Sequence, residues 1–147
     1  MKIIILCCLI MAIGFSSYSQ KKNPNIEGAW KQVYHQTITG KKIVVDFPGK
    51  SDVDAVKIWS GNRFMFVVRE KIDTTVTDGY GTGTYTLEGN RYEENIKILS
   101  YKPWEGTSIK MLLEIKNDTL IQTYPVDEKG QMNKEWTIIE KYVRIKK

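Results

Sequence analysis

Past an apolar stretch at residues 3–15, hydrophobic and polar residues alternate in short runs rather than recurring every three or four positions. Trp30, Gln32 and Tyr34 alternate with Lys31, Val33 and His35, which is the period of an extended strand. The pattern predicts a first strand over residues 28–36 and a short second one over 43–47, after a turn at Thr39-Gly40-Lys41-Lys42. Residues 50–54 read as a polar loop. Three hairpins come next: 55–59 with 63–69 across Ser60-Gly61-Asn62, 79–87 with 91–99 across Glu88-Gly89-Asn90, and 107–115 with 119–124 across Lys116-Asn117-Asp118. In such tight connections glycine supplies the positive φ that a hairpin turn requires. The charged, threonine-rich stretch 70–78 is either a long loop or an extension of its neighbouring strands. Residues 100–106, with Pro103, and 127–133, with Gly130, are loops, and 134–145 form a long closing strand.

No segment after residue 19 keeps helical periodicity over three turns, so the chain reads as all-β. Most strands are joined by short connections to the next in sequence, which makes an antiparallel meander the economical topology. A meander removes its two exposed edges most completely by closing on itself. The expected fold is therefore an antiparallel up-and-down β-barrel of 8–10 strands, with an open sandwich as the alternative.

The apolar stretch at 3–15 comes after Met1-Lys2 and ends in Ser16-Ser17-Tyr18-Ser19. It is shorter than the roughly 18–20 apolar residues of a spanning helix, and its small-residue exit is what a signal peptidase reads. Residues 1–19 are thus expected to be a signal peptide cut near Ser19/Gln20, residues 20–25 a short polar tether with Pro24, and 26–147 the barrel domain. The protein would act outside the cytoplasm, periplasmic or secreted, without a stable transmembrane anchor. Both cysteines, Cys7 and Cys8, fall inside the leader, so the exported domain would have neither a disulfide nor a thiolate nucleophile. Its core alone must hold it together.

The net charge of +5 is scattered along the chain. Lys41-Lys42 and Lys146-Lys147 are pairs too short to form a nucleic-acid-binding stripe, so no nucleic-acid partner is expected.

In an up-and-down barrel the last strand pairs with the first, which brings Arg144 towards Trp30. The guanidinium either stacks on the indole or remains a solvated terminal charge. Gly28-Ala29-Trp30 near the start and Arg144 near the end resemble the two hallmark features of the calycins, the group of lipocalins and fatty-acid-binding proteins. The middle of the chain is similar to small exported lipocalin-like domains of unknown function common in Bacteroidetes. The matching segments are Lys57-Ile58-Trp59-Ser60-Gly61-Asn62-Arg63-Phe64, Gly81-Thr82-Gly83-Thr84-Tyr85-Thr86-Leu87-Glu88-Gly89-Asn90-Arg91-Tyr92 and Glu140-Lys141-Tyr142-Val143-Arg144. The resemblance implies a barrel with a cavity and Gly28, Trp30 and Arg144 as a structural motif; it carries no assigned activity. No helix is evident after the last strand and no disulfide clips it, which departs from true lipocalins.

Candidate chemistry is sparse. His35 is the single histidine, alternates out of phase with Trp30, and reads as a surface residue without an oriented partner. Glu93 and Glu94 point to opposite faces of one strand, so at most one of them faces inward. Gly79-Tyr80-Gly81-Thr82-Gly83 lacks the helix that must come directly after a phosphate cradle; its alternate glycines leave one strand face bare for a bend or a neighbouring aromatic. No enzymatic activity, cofactor or metal is expected. The aromatics carry the remaining signal. Tyr34, Phe64, Phe66 and Tyr92, with Met111, Tyr124 and Trp136, are the expected barrel lining and ligand-binding residues. Val56, Ile58, Ile96, Ile98, Ile109 and Leu113 are expected among the interior aliphatics, with Gln32 and Gln122 as inward polar groups. The leading expectation is non-covalent binding of a small apolar molecule. The alternative is a protein-interaction or envelope-associated module whose barrel is filled.

Overall fold

The computed structural model describes residues 22–146; the expected leader, with Cys7 and Cys8, lies outside them. Among the described residues nine strands form: β1 (Gly28–Thr39), β2 (Lys42–Phe47), β3 (Asp52–Ser60), β4 (Arg63–Ile72), β5 (Thr75–Glu88), β6 (Arg91–Leu99), β7 (Ser108–Lys116), β8 (Thr119–Tyr124) and β9 (Trp136–Arg144). From β3 onward each strand pairs antiparallel with the next, and β9 returns to β1, with Trp30 opposite Arg144 and Thr39 opposite Trp136. This closes an eight-stranded up-and-down barrel of β1 and β3–β9. The short strand β2 lies alongside the second half of β1. No helix among the described residues is long and apolar enough to cross a membrane.

The stretch 50–54, expected as a loop, is strand from Asp52 onward, and the stretch 70–78, left open between loop and strand, is strand apart from its turn. Asp52–Asp54 begin β3 and pair with Arg69–Lys71. The 70–78 stretch takes the extension option: Glu70 pairs with Thr77 and Ile72 with Thr75. The turn there is two residues long, with Asp73 at a φ of 53°. Arg69 donates two hydrogen bonds to Asp78 across the ladder, at 2.7 and 2.8 Å.

The inner face changes character along the barrel axis. At one end it is filled by large side chains, among them Trp30, Trp59, Phe64, Tyr92, Leu113 and Leu120. Ile26, from the segment ahead of β1, plugs this end. Its carbonyl accepts the Trp30 indole N–H at 2.9 Å. The guanidinium of Arg144 lies 4.2 Å from the Trp30 ring centroid and donates to the carbonyls of Asn25, at 2.8 Å, and Glu27. Such a stack contributes roughly 1–2 kcal/mol when partly desolvated. Gly28 is required twice over. Its φ is +110°, and a Cβ there would stand 3.2 Å from Arg144 Nη1. The same segment is tied to the β5–β6 turn, where Asn23 donates to the Leu87 carbonyl at 2.8 Å and accepts from the Gly89 N–H at 2.7 Å.

In β5 the bare inner face left by alternate glycines is taken up by rings from the neighbouring strand. A Cβ on Gly81 would collide with Phe66, and one on Gly83 with the Asn95 carbonyl and the Phe64 ring.

Candidate functional site

The other end of the barrel is hollow. A bulge at Val33 breaks the β1–β9 register between Gln32 and Tyr34, and everything beyond it on β1 changes face. Beyond the bulge β1 also leaves β3. Its ladder with β3 ends at Lys31–Val56, and β2 takes its free side from His35 onward. No ladder joins β2 to β3, so the wall is split there. A cavity of about 370 Å³ occupies this half of the barrel and is partly open to solvent.

The cavity's sides are mainly apolar, supplied by Val53, Ala55, Phe66, Ile96, Ile109 and Met111. Its deep wall is a polar belt separating it from the filled end. In this belt Lys57 Nζ lies 2.5 Å from Glu94 Oε1 and donates to Gln122 Oε1 at 3.2 Å. Lys57 and Glu94 are only 5% and 3% exposed. The same ammonium stands 5.2, 5.3 and 5.9 Å from the ring centroids of Trp59, Phe64 and Phe66. Glu94 also accepts from the Tyr92 hydroxyl at 2.7 Å, whose oxygen accepts the Trp59 indole N–H at 2.7 Å. A buried charge is tolerated only when paired and hydrogen-bonded, and each side chain of this belt has a partner.

A second carboxylate, Glu140 of β9, faces the cavity with neutral groups as its partners. It accepts from the Tyr142 hydroxyl at 2.8 Å and from the Gln32 amide at 3.3 Å. Burial, then the negative charge of Glu140, push the Tyr124 and Tyr142 hydroxyls well above the ordinary tyrosine range. Burial, then Glu94, does the same to Tyr92. All three are thus held in the phenol form, and Tyr92 and Tyr142 donate to Glu94 and Glu140. At the split in the wall, His35 Nδ1 lies 3.3 Å from Asp46 Oδ2, which also accepts from the Thr37 hydroxyl at 3.1 Å. Among the described residues, no group of three or more His, Cys, Asp or Glu side chains is placed to hold a metal.

Of the residues expected to line the barrel, Phe66, Met111 and Tyr124 do line the cavity. Phe64 and Tyr92 are buried in the filled end beneath it. Trp136 stands at the rim, edge-on to Trp104 at a centroid distance of 6.5 Å. Tyr34 is a correction: the Val33 bulge turns it to the outer face, where Lys141 lies 4.5 Å from its ring centroid and its hydroxyl bonds Gln36. The same bulge overturns the surface assignment of His35, which borders the cavity and has Asp46 as its partner. Ile58 and Ile98 are also on the outside, each more than a third exposed. In β3 the buried phase is that of Val53, Ala55, Lys57 and Trp59, and in β6 a register break between Ile96 and Ile98 reverses the faces. Gln32, Gln122 and Glu94 point inward and are buried.

Sequence reasoning missed Lys57 and Glu140. Lys57 sits between Val56 and Ile58, which mimic an inner face. The usable signal was Trp59, which shares the phase of Val53, Ala55 and Lys57. No protein-family model matches the chain, and no curated protein matches it.

Proposed function

We propose that the protein is an exported lipocalin-like barrel that holds one small, largely apolar molecule non-covalently. The observation that carries this reading is the cavity of about 370 Å³ with apolar sides and a polar inner wall. Its volume falls in the range of several hundred Å³ typical of small-molecule sites. Binding would draw on burial of ligand surface at roughly 25 cal/mol per Å², before the cost of ordering. A barrel filled with side chains would leave no space of this size, so the interaction-module reading lacks comparable support. Export rests on the charged, apolar, small-residue succession of residues 1–19. Kinship with the calycins rests on the closed barrel and on Gly28, Trp30 and Arg144 at its closure.

The test is a titration with the neutral dye N-phenylnaphthylamine, alongside native mass spectrometry of protein purified from its own host. One dye per chain is expected, with binding abolished by Ala55→Phe, which fills the cavity. Absence of both dye binding and a co-purifying molecule would refute the carrier reading.

A further inference from the structure

The charges around the cavity are unequal. The lining holds four carboxylates, Asp46, Glu70, Glu94 and Glu140, against one lysine, Lys57, and one histidine, His35. Lys57 is already committed to Glu94 and Gln122, so it has little to offer an anionic ligand. His35 is held by Asp46, and Glu70 stands on the outermost inward position of β4, beyond Val68 and Phe66. Glu140 remains. It is half-buried in the cavity wall, and the partners it has there are neutral donors, Tyr142 and Gln32. A carboxylate in a low-dielectric wall attracts a cation far more strongly than one in water.

We propose that the ligand carries a protonated amine or amidine, which Glu140 receives, while its apolar body lies against Phe66, Ile96, Ile109 and Met111. The proposal rests on the carrier reading and adds the charge of the ligand to it. An amine placed there donates charge-assisted hydrogen bonds to the carboxylate, about twice as strong as neutral ones. The phenol of Tyr142 and the amide of Gln32 fix the carboxylate in place. A carboxylate ligand in the same pose would meet Glu140 and Glu94, with Lys57 and His35 already engaged by Glu94 and Asp46.

The experiment uses three ligands with one bicyclic body, naphthylmethylamine, naphthylmethanol and naphthoate, titrated by calorimetry into the wild type and Glu140→Gln. The substitution keeps shape and still accepts the Tyr142 hydroxyl. Naphthylmethanol reports on the cavity alone, and the amine-to-alcohol ratio reports on Glu140. The expected result is an amine bound about 10-fold or more tighter than the alcohol, naphthoate weakest, and a ratio near one in Glu140→Gln with alcohol affinity retained. Alcohol binding with no preference for the amine, or with naphthoate tightest, overturns the amine assignment and leaves the cavity reading standing. A preference for amine that survives Glu140→Gln overturns the role of Glu140. Failure of all three ligands to bind overturns both readings. If Glu140→Gln does not fold, the ranking of the three ligands on the wild type still decides.

Discussion

Replacing Lys57 with methionine removes one ammonium and almost no volume, so its effect isolates the charge. Glu94, 3% exposed, would keep only the Tyr92 hydroxyl as a close partner. Breaking a buried ion pair from one side costs about 3–5 kcal/mol, because the remaining charge is left uncompensated. Against a total stability of about 5–15 kcal/mol for a domain, that is a large share. At this chain length it corresponds to a fall in Tm of roughly 10–25 °C. Glu94→Met strands Lys57 and costs a similar amount. The double substitution Lys57→Met/Glu94→Met removes both charges and leaves behind a Tyr92 hydroxyl and a Gln122 carbonyl without these partners, a cost of about 1–3 kcal/mol each. The double variant therefore loses less than the two single losses added together, with a coupling of roughly 0.5–3 kcal/mol as expected of residues in direct contact. Urea denaturation monitored by tryptophan fluorescence measures all four corners of the cycle. Additive single effects, or a loss below about 1 kcal/mol for Lys57→Met, would mean that water reaches the pair and that the belt does not seal the filled end.

Trp30→Ala at the filled end should cost about 3–5 kcal/mol by denaturant unfolding, the usual loss for a buried tryptophan; a loss below about 1 kcal/mol would remove Trp30 from its organising place. Gly28→Ala meets both the positive φ and Arg144 and should cost more than about 1 kcal/mol, whereas an unchanged midpoint would show that the turn relaxes freely. Tyr92, Tyr124 and Tyr142 have folded-state values raised above the ordinary 10.0. The unfolded chain therefore releases their protons first, and stability, complete below about pH 10, is lost as pH rises beyond it. Phenolate absorbance in an alkaline titration should show these three ionising only together with unfolding; ionisation of every tyrosine near about pH 10 with the fold intact would contradict their burial.

The closed barrel was legible because its signals are local and redundant. Alternating residues, two-residue turns at Gly61-Asn62 and Asn117-Asp118, and the lack of any helical period all favour one meander. The closure was legible for a different reason: Gly28, Trp30 and Arg144 are types whose positions have few other uses. The face of each residue was legible only up to the first irregularity. Val33 and the break between Ile96 and Ile98 carry no turn residue to announce a bulge, yet each reverses the phase of the residues beyond it. Tyr34, His35 and Ile98 were misplaced for that reason. Ile58 had another cause: β3 is apolar on both faces, and the lysine lies on the inner one.

One irregularity goes with both the opening of the cavity and the histidine at its edge. Without the bulge, β1 would keep its pairing phase, Tyr34 would fill the space behind Gln32, and His35 would face solvent. With it, β1 turns His35 inward and exchanges β3 for β2 along one side, which splits the wall. The inward positions around that split are then short or polar, with Ala55 and Val53 on one side and His35 and Asp46 on the other. Above the polar belt no residue on β1 or β3 is large enough to close the space. Below it Trp30 and Trp59 close it completely, both at most 1% exposed. The belt itself explains why the boundary is sharp. Lys57 and Glu94 must remain paired, and Glu140 must keep its phenol, so none of these side chains can swing upward into the cavity without leaving a buried charge unmet. The hollow end thus goes with the bulge and with the exchange of β3 for β2 along β1, both of which lie above the charged belt.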